Sequence, residues 1–239
     1  MTVTAAITRK EATRYGILPE TISLKIREPG SALTHFAALI LMLAGTGPLL
    51  MKTKNTGSAA AMAGMTVFAV MACFLYAAST AYHTVVAGKR VTTVLRKIDH
   101  SSISLMIAGT YTPVCLILLD GNTRILLLAA IWTMAVAGVI MKIFWITCPK
   151  AVSSALYLAM GWMCVFAMHS IYEAFTTRGF VWLVAGGIFY SVGALIYACH
   201  PKAFDAKHVY FGSHEIFHVF IMLGTFCHYV MLYRDCCAG

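Results

Sequence analysis

The chain has 239 residues, 60% of them hydrophobic and only 11% charged, against about 45–50% apolar and roughly 25% charged in an ordinary soluble domain. This excludes a soluble globular enzyme, a disordered chain and a coiled coil, and predicts an all-α polytopic membrane protein. The net charge of +9 would suggest nucleic acid in a soluble protein, but no basic stripe interleaved with aromatics is present. Basic loops on one side of a membrane account for the charge, and no nucleic-acid partner is expected.

Residues 1–32 contain no continuous apolar run of signal-peptide type and read as a cytoplasmic tail. Seven apolar runs follow, about 33–51, 58–87, 101–119, 125–145, 152–174, 180–199 and 214–233, which make residues 33–234 a membrane domain followed by a short tail at 235–239. The runs are continuous rather than alternating, so they predict helices and not barrel strands. Pro48, Gly88, Asp120-Gly121-Asn122, Pro149, Gly179 and Pro201 punctuate them. With seven crossings, thirteen Lys and Arg fall on the side of the amino terminus and five on the other. The positive-inside rule then places the amino terminus in the cytoplasm and the carboxyl terminus outside.

Small residues within the runs (Ala60, Gly64, Gly186, Gly187) predict close helix packing. Pro113, after Gly109-Thr110-Tyr111-Thr112, should kink the third helix and free a carbonyl that threonine hydroxyls could partly satisfy. The eight cysteines, Cys73, Cys115, Cys148, Cys164, Cys199, Cys227, Cys236 and Cys237, have no CxxC or paired spacing, which argues against a thiolate zinc site and a disulfide framework. Cys236 and Cys237 read as spare terminal cysteines rather than acylation sites.

Ionisable groups inside membrane spans are costly and usually face a partner or a cavity. Here His83 ends the second run, one turn after Ser79. Asp99 and His100 open the third, His214 and His218 open the seventh, and Glu28 and His35 flank the start of the first. Even-numbered spans end, and odd-numbered spans begin, on the side of the amino terminus, so these groups from four helices share one depth. His214 and His218, four positions apart, project from one helix face and can chelate a metal. A third imidazole, from His83, would leave the fourth position open, as in catalytic zinc sites. Asp99 could orient or deprotonate a water there, with Ser79 in support. An HxxxH pair alone is a weak signal, and a lone histidine in a span is more often an interhelical hydrogen-bonder. His228, ten residues past His218 and so about 15 Å deeper, cannot share a metal with the pair. His169, His200 and His208 read as bystanders. His100 neighbours Asp99 but points about 100° away on the helix, and geometry alone does not choose between them.

With these residues the chain resembles the bacterial hemolysin III family, within the superfamily of the progestin and adiponectin receptors and distantly related to alkaline ceramidases. The matching segments are EPGSALTH (Glu28–His35), STAYHT (Ser79–Thr84), RKIDHSSISLMIAGTYTP (Arg96–Pro113), YLAMGW (Tyr157–Trp162) and SHEIFHVFIMLGTFCHYV (Ser213–Val230). The chain departs from the family at Ser31, where asparagine is usual, and in the loop Pro201–Phe211, longer than in the bacterial relatives. The resemblance implies a seven-transmembrane-helix bundle with a cytoplasmic amino terminus and a zinc ion near that face. The implied ligands are His83, His214 and His218, with Asp99 holding the zinc-bound water and Ser79 supporting the site, which favours Asp99 over His100.

Three functions are then open. The first is a zinc-dependent hydrolase of a lipid amide, ceramide-like or another fatty-acyl substrate, in the bacterial inner (plasma) membrane. The second is the pore-forming or membrane-lytic hemolysin of the family name; seven resident apolar spans that obey the positive-inside rule weigh against it. The third is a receptor or regulator of membrane lipid composition with a structural zinc.

Overall fold

The computed structural model describes residues 26–199, 202–208 and 211–236. The expected tail over 1–25, with its basic residues, and His200, Pro201 and Cys237–Gly239 lie outside them. Among the described residues every regular element is helical: α1 Pro29–Lys54, α2 Ala59–Thr84, α3 Lys89–Leu118, α4 Gly121–Phe144, α5 Lys150–Gly161, a 3₁₀ segment Trp162–Ala167, α6 Met168–Ala174, α7 Thr177–Cys199, α8 Lys202–Lys207 and α9 Ser213–Met231, extended by a π turn Leu232–Cys236. Counting α5 through α6 as one crossing and α9 with its π turn as another, seven helices are long and apolar enough to span a membrane. In an apolar medium the backbone must satisfy its own polar groups, and continuous helix does so within each span.

The turns follow from local chemistry. Pro29 starts α1, its missing N–H falling where the helix has no internal acceptor to offer. Ser58 caps α2 by accepting the N–H of Ala61 at 3.2 Å. Gly57 (φ +66) and Gly121 (φ +54) supply the left-handed residues of the connections before α2 and α4. α3 begins at Lys89, twelve residues before its apolar run at 101, because its first three turns are charged and were legible only as loop. Asp99 and His100 therefore sit well inside a continuous helix.

α1 packs on α2, α2 on α3 and α3 on α4; α5 contacts both α3 and α7, and α9 lies between α7 and α1. α3 is the most enclosed of the seven, buried almost without break from Asp99 to Cys115. Its buried hydroxyls fold back on the helix: Thr110 donates to the Met106 carbonyl at 3.0 Å and Thr112 to that of Ala108 at 2.8 Å. These are not the Gly109 carbonyl that Pro113 frees, so the expected threonine compensation falls one residue or more away from it. Tyr76 donates to Thr225 Oγ1 at 2.7 Å and Tyr190 lies 2.8 Å from the same oxygen, which ties α2, α7 and α9 together at mid-bundle.

The close approach of α2 and α3 depends on glycine. A Cβ on Gly64 would meet the Pro113 Cα at 2.7 Å. Of the three other small residues noted with it, Gly186 is as tight, since a Cβ there would meet the His228 ring at 2.4 Å, whereas Ala60 is exposed and a Cβ on Gly187 would meet open space. Gly64→Ala is therefore expected to destabilise the bundle by about 1–3 kcal/mol, read as a lower unfolding temperature in detergent, and Gly187→Ala to leave it unchanged. Equal behaviour of the two variants would refute this account of the α2–α3 contact.

Candidate metal centre

Three imidazoles from two helices meet at one end of the bundle. His83 lies in the last turn of α2, and His214 and His218 lie in the first two turns of α9. One ring nitrogen from each falls within 4.8 Å of the other two. His83 and His218 are almost fully buried. The Nε2 atoms of His83 and His214 face each other at 3.3 Å. Two nitrogens held tetrahedrally about 2.0–2.1 Å from one zinc ion would be about 3.3 Å apart. The donor set therefore fits a divalent cation of zinc type.

The surroundings fix which nitrogen is free. Glu28, just before α1, pairs through Oε2 with His83 Nδ1. Its backbone N–H donates to the His83 carbonyl at 2.9 Å, which locks the two segments together. The carboxylate holds the proton on Nδ1 and leaves the Nε2 lone pair toward His214. In return, the His83 imidazole holds the Glu28 carboxyl below the usual carboxylate range, against the opposing effect of partial burial. Thr34 does the same for His218. Its hydroxyl donates to the Ser31 carbonyl at 2.9 Å, so its oxygen is left to accept from His218 Nδ1 at 3.1 Å. That assigns the lone pair of His218 to Nε2 as well.

His35 stacks on His218, with ring centroids 3.6 Å apart and an 8° interplanar angle, and so fixes the plane of that ring. Glu215, between the two α9 histidines, points away. It accepts the Gly212 N–H at 2.8 Å through one oxygen and the Ser31 hydroxyl through the other, which caps α9 and pins it to α1. The serine at position 31, where the resemblance leads one to expect asparagine, thus does its work through α9.

Asp99 and Ser79 are buried and line, with His214 and His218, the polar end of a cavity that runs between the helices. Its walls are apolar, with Leu75, Ile103, Met106 and Ile221 among them. The Asp99 side chain stays outside the three-nitrogen cluster, within electrostatic reach of His83 and Ser79. His100 is engaged elsewhere: its Nδ1 donates to the Arg96 carbonyl at 2.9 Å and its Nε2 lies 3.4 Å from the Tyr197 hydroxyl. His228 lines the far part of the cavity and bonds through Nε2 to the Leu183 carbonyl at 3.2 Å. His169 is exposed beside Glu173, and His208 bonds to the Phe204 carbonyl.

The structure thus brings His83, His214 and His218 together, with Asp99 and Ser79 on the same cavity. Sequence reasoning placed Glu28 and His35 at this depth without a role, and it passed over Thr34. The TH pair of EPGSALTH carries both contacts, Thr34 bonding to His218 and His35 stacking on it, although adjacent positions lie about 100° apart on a helix.

Comparison with known proteins agrees with this architecture. A family model described as "Haemolysin-III related" matches residues 24–229. Hemolysin-3 of Bacillus cereus is 38% identical over 198 residues, which cover 83% of this chain and 86% of that protein. The Hemolysin-3 homolog of Bacillus subtilis is 34% identical over 198 residues, 83% of this chain and 89% of the homolog. Progestin and adipoQ receptor-like protein 1 of Caenorhabditis elegans is 24% identical over 170 residues, 63% of this chain and 38% of that protein. No solved structure matches the chain. With its seven apolar helices and this match over nearly all of them, the chain belongs to the haemolysin-III-related family and is a multi-pass integral protein of the bacterial plasma membrane.

Proposed function

We propose that the protein is a zinc-dependent hydrolase of a lipid amide, ceramide-like or another fatty-acyl amide, working at the cytoplasmic face of the membrane. The observation that carries this reading is the convergence of three imidazole lone pairs, two with their tautomers fixed by Glu28 and Thr34, at the polar end of an apolar cavity. Zinc bound by His83, His214 and His218 would supply Lewis acidity toward a carbonyl oxygen and acidify a water. Asp99 takes a proton from the attacking water at its carboxylate and returns one to the leaving nitrogen. Ser79, one turn from His83 and on the same cavity as Asp99, would support the site. The apolar walls receive the acyl chain and keep bulk water from the amide. The cytoplasmic placement rests on the excess of Lys and Arg on the side of the amino terminus.

A carboxylate that anchors a ligating imidazole contributes to metal affinity through ring orientation and basicity. Glu28→Gln is expected to weaken zinc binding about 10–100-fold, measured by competition with a chromophoric chelator, while the purified protein keeps its helical content. An unchanged affinity would remove Glu28 from the centre.

The name Hemolysin-3 borne by two relatives supports a second reading, direct membrane lysis. Against it stands α3, which fills the middle of the bundle with buried side chains. One experiment separates the readings. Purified protein is assayed for metal content and for release of fatty acid from short-chain ceramide and N-acyl amino acids. In parallel it is assayed for conductance in planar bilayers. Metal-dependent release without conductance supports the hydrolase. Discrete conductance without release supports lysis. A stoichiometric metal with neither activity would favour a receptor with a structural ion.

A further inference from the structure

At the same end of the bundle, away from the histidines, α4 carries one cation inward. Lys142 was legible in the sequence only as one of the basic loop residues, yet it is 2% exposed. Its Nζ donates to Ser153 Oγ at 2.5 Å and to Cys148 Sγ at 3.1 Å. The third side of the triangle, Cys148 Sγ to Ser153 Oγ, is 3.2 Å. The geometry comes from the short loop after α4. There the Cys148 N–H bonds to the Trp145 carbonyl at 3.2 Å, folding the thiol back onto the last turn of the helix. Pro149 then starts α5, which presents Ser153 one turn on.

A buried ammonium needs a counter-charge, because its hydration is lost and hydroxyls alone do not replace it. Among the described residues the carboxylate ion pairs involve Arg27, His83, Arg124 and His169, and none involves Lys142. The ionisable group in contact with Nζ is the thiol. Burial alone would push the Cys148 thiol up. The Ser153 hydroxyl and the Lys142 ammonium, with Arg96 on α3 adding positive potential, outweigh burial and hold it below its ordinary value. His100 on α3 also lies within electrostatic reach of Lys142, and Tyr157 and Tyr197 within reach of Cys148. Of the other cysteines, Cys73, Cys115, Cys164, Cys199 and Cys227 make no hydrogen bond to a lysine or arginine among the described residues.

We propose that Cys148 is a peroxide-reactive thiolate and that Lys142 captures its oxidised form as a sulfur–nitrogen cross-link. The thiolate sulfur attacks one oxygen of hydrogen peroxide, the O–O bond breaks, and the departing hydroxide takes a proton to leave as water, giving a sulfenic acid. The Lys142 amine, 3.1 Å away once deprotonated, then forms the N–S bond. The S–O bond breaks, and the hydroxyl leaves as a second water with a proton from the nitrogen. In sum, one thiol, one amine and one peroxide give one sulfenamide and two waters. Cys148 is 7% exposed, which favours small reagents such as hydrogen peroxide and dimedone over the bulky charged thiols that would otherwise resolve the sulfenic acid. This chemistry is independent of the metal centre.

The test uses the full-length detergent-solubilised protein, treated with hydrogen peroxide with and without dimedone and mapped by peptide mass spectrometry. Cys148 is expected to be consumed about ten-fold faster than Cys199, which is exposed and pairs with no lysine or arginine among the described residues. A peptide that spans 142–148, uncut by trypsin at Lys142 and lighter by two hydrogens, is expected to accumulate. In Lys142→Met the cross-link should vanish, and Cys148 should slow and appear as the dimedone adduct. The wild-type comparison needs no variant to fold: if Cys148 reacts no faster than Cys199, the thiolate is refuted. If it reacts fast but ends as a sulfinic acid or a dimedone adduct with Lys142 still cleavable, capture by the amine is refuted.

Discussion

Replacing His218 by alanine is expected to empty the centre of metal. Wild-type protein purified without chelator should carry about one zinc per chain, and His218→Ala less than about one tenth of that, since two remaining protein ligands do not retain zinc through purification. The effect should be large because His218 is tightly constrained. Thr34 fixes its tautomer, His35 fixes its plane, and it is 2% exposed. His228→Ala is the matched control. It removes a buried imidazole from the same helix and the same cavity, but one bonded to the Leu183 carbonyl, and its metal content should stay at the wild-type level. Elemental analysis of both, with circular dichroism to show that the helices persist, decides the matter. Equal metal in wild type and His218→Ala would remove the centre and the hydrolytic reading with it.

How much of this was legible in the chain depends on which physical signal each part sends. The seven helices announce themselves because a membrane span needs a run of apolar residues and little else. The pair on α9 is a local signal, four positions on one helix. His83 is not local. It could be joined to the pair only by noting that an even span ends where an odd span begins. Glu28 was harder still, since its grip on His83 depends on a backbone hydrogen bond to the end of α2, which no pattern in the sequence encodes. The choice between Asp99 and His100 was open from helical rotation alone. Both residues line the cavity; what distinguishes them is that the His100 ring is tied to the Arg96 carbonyl and the Tyr197 hydroxyl. Lys142 misled most. A lysine near the end of an apolar run reads as a loop cation, and only the fold of Trp145–Pro149 shows that it is buried against Cys148.

Asp99→Asn is the change expected to separate metal binding from chemistry. Asparagine keeps the size and one acceptor oxygen of aspartate, but its amide cannot take up and return a proton as a carboxylate does. Asp99 lies outside the three-nitrogen cluster, so the variant should keep its zinc. General acid–base groups contribute about 10²–10⁴-fold to rate, so kcat for amide cleavage should fall by that factor with KM little changed, because the acyl chain still meets the same apolar walls. A merely structural Asp99 predicts the reverse, a loss of metal or of folded protein with residual activity proportional to what survives. A carboxylate that ligates the ion directly predicts loss of metal and rate together. Zinc retained with kcat lost is the outcome that assigns Asp99 the proton, and turnover at the wild-type rate would take that role away and return His100, also on the cavity, to consideration.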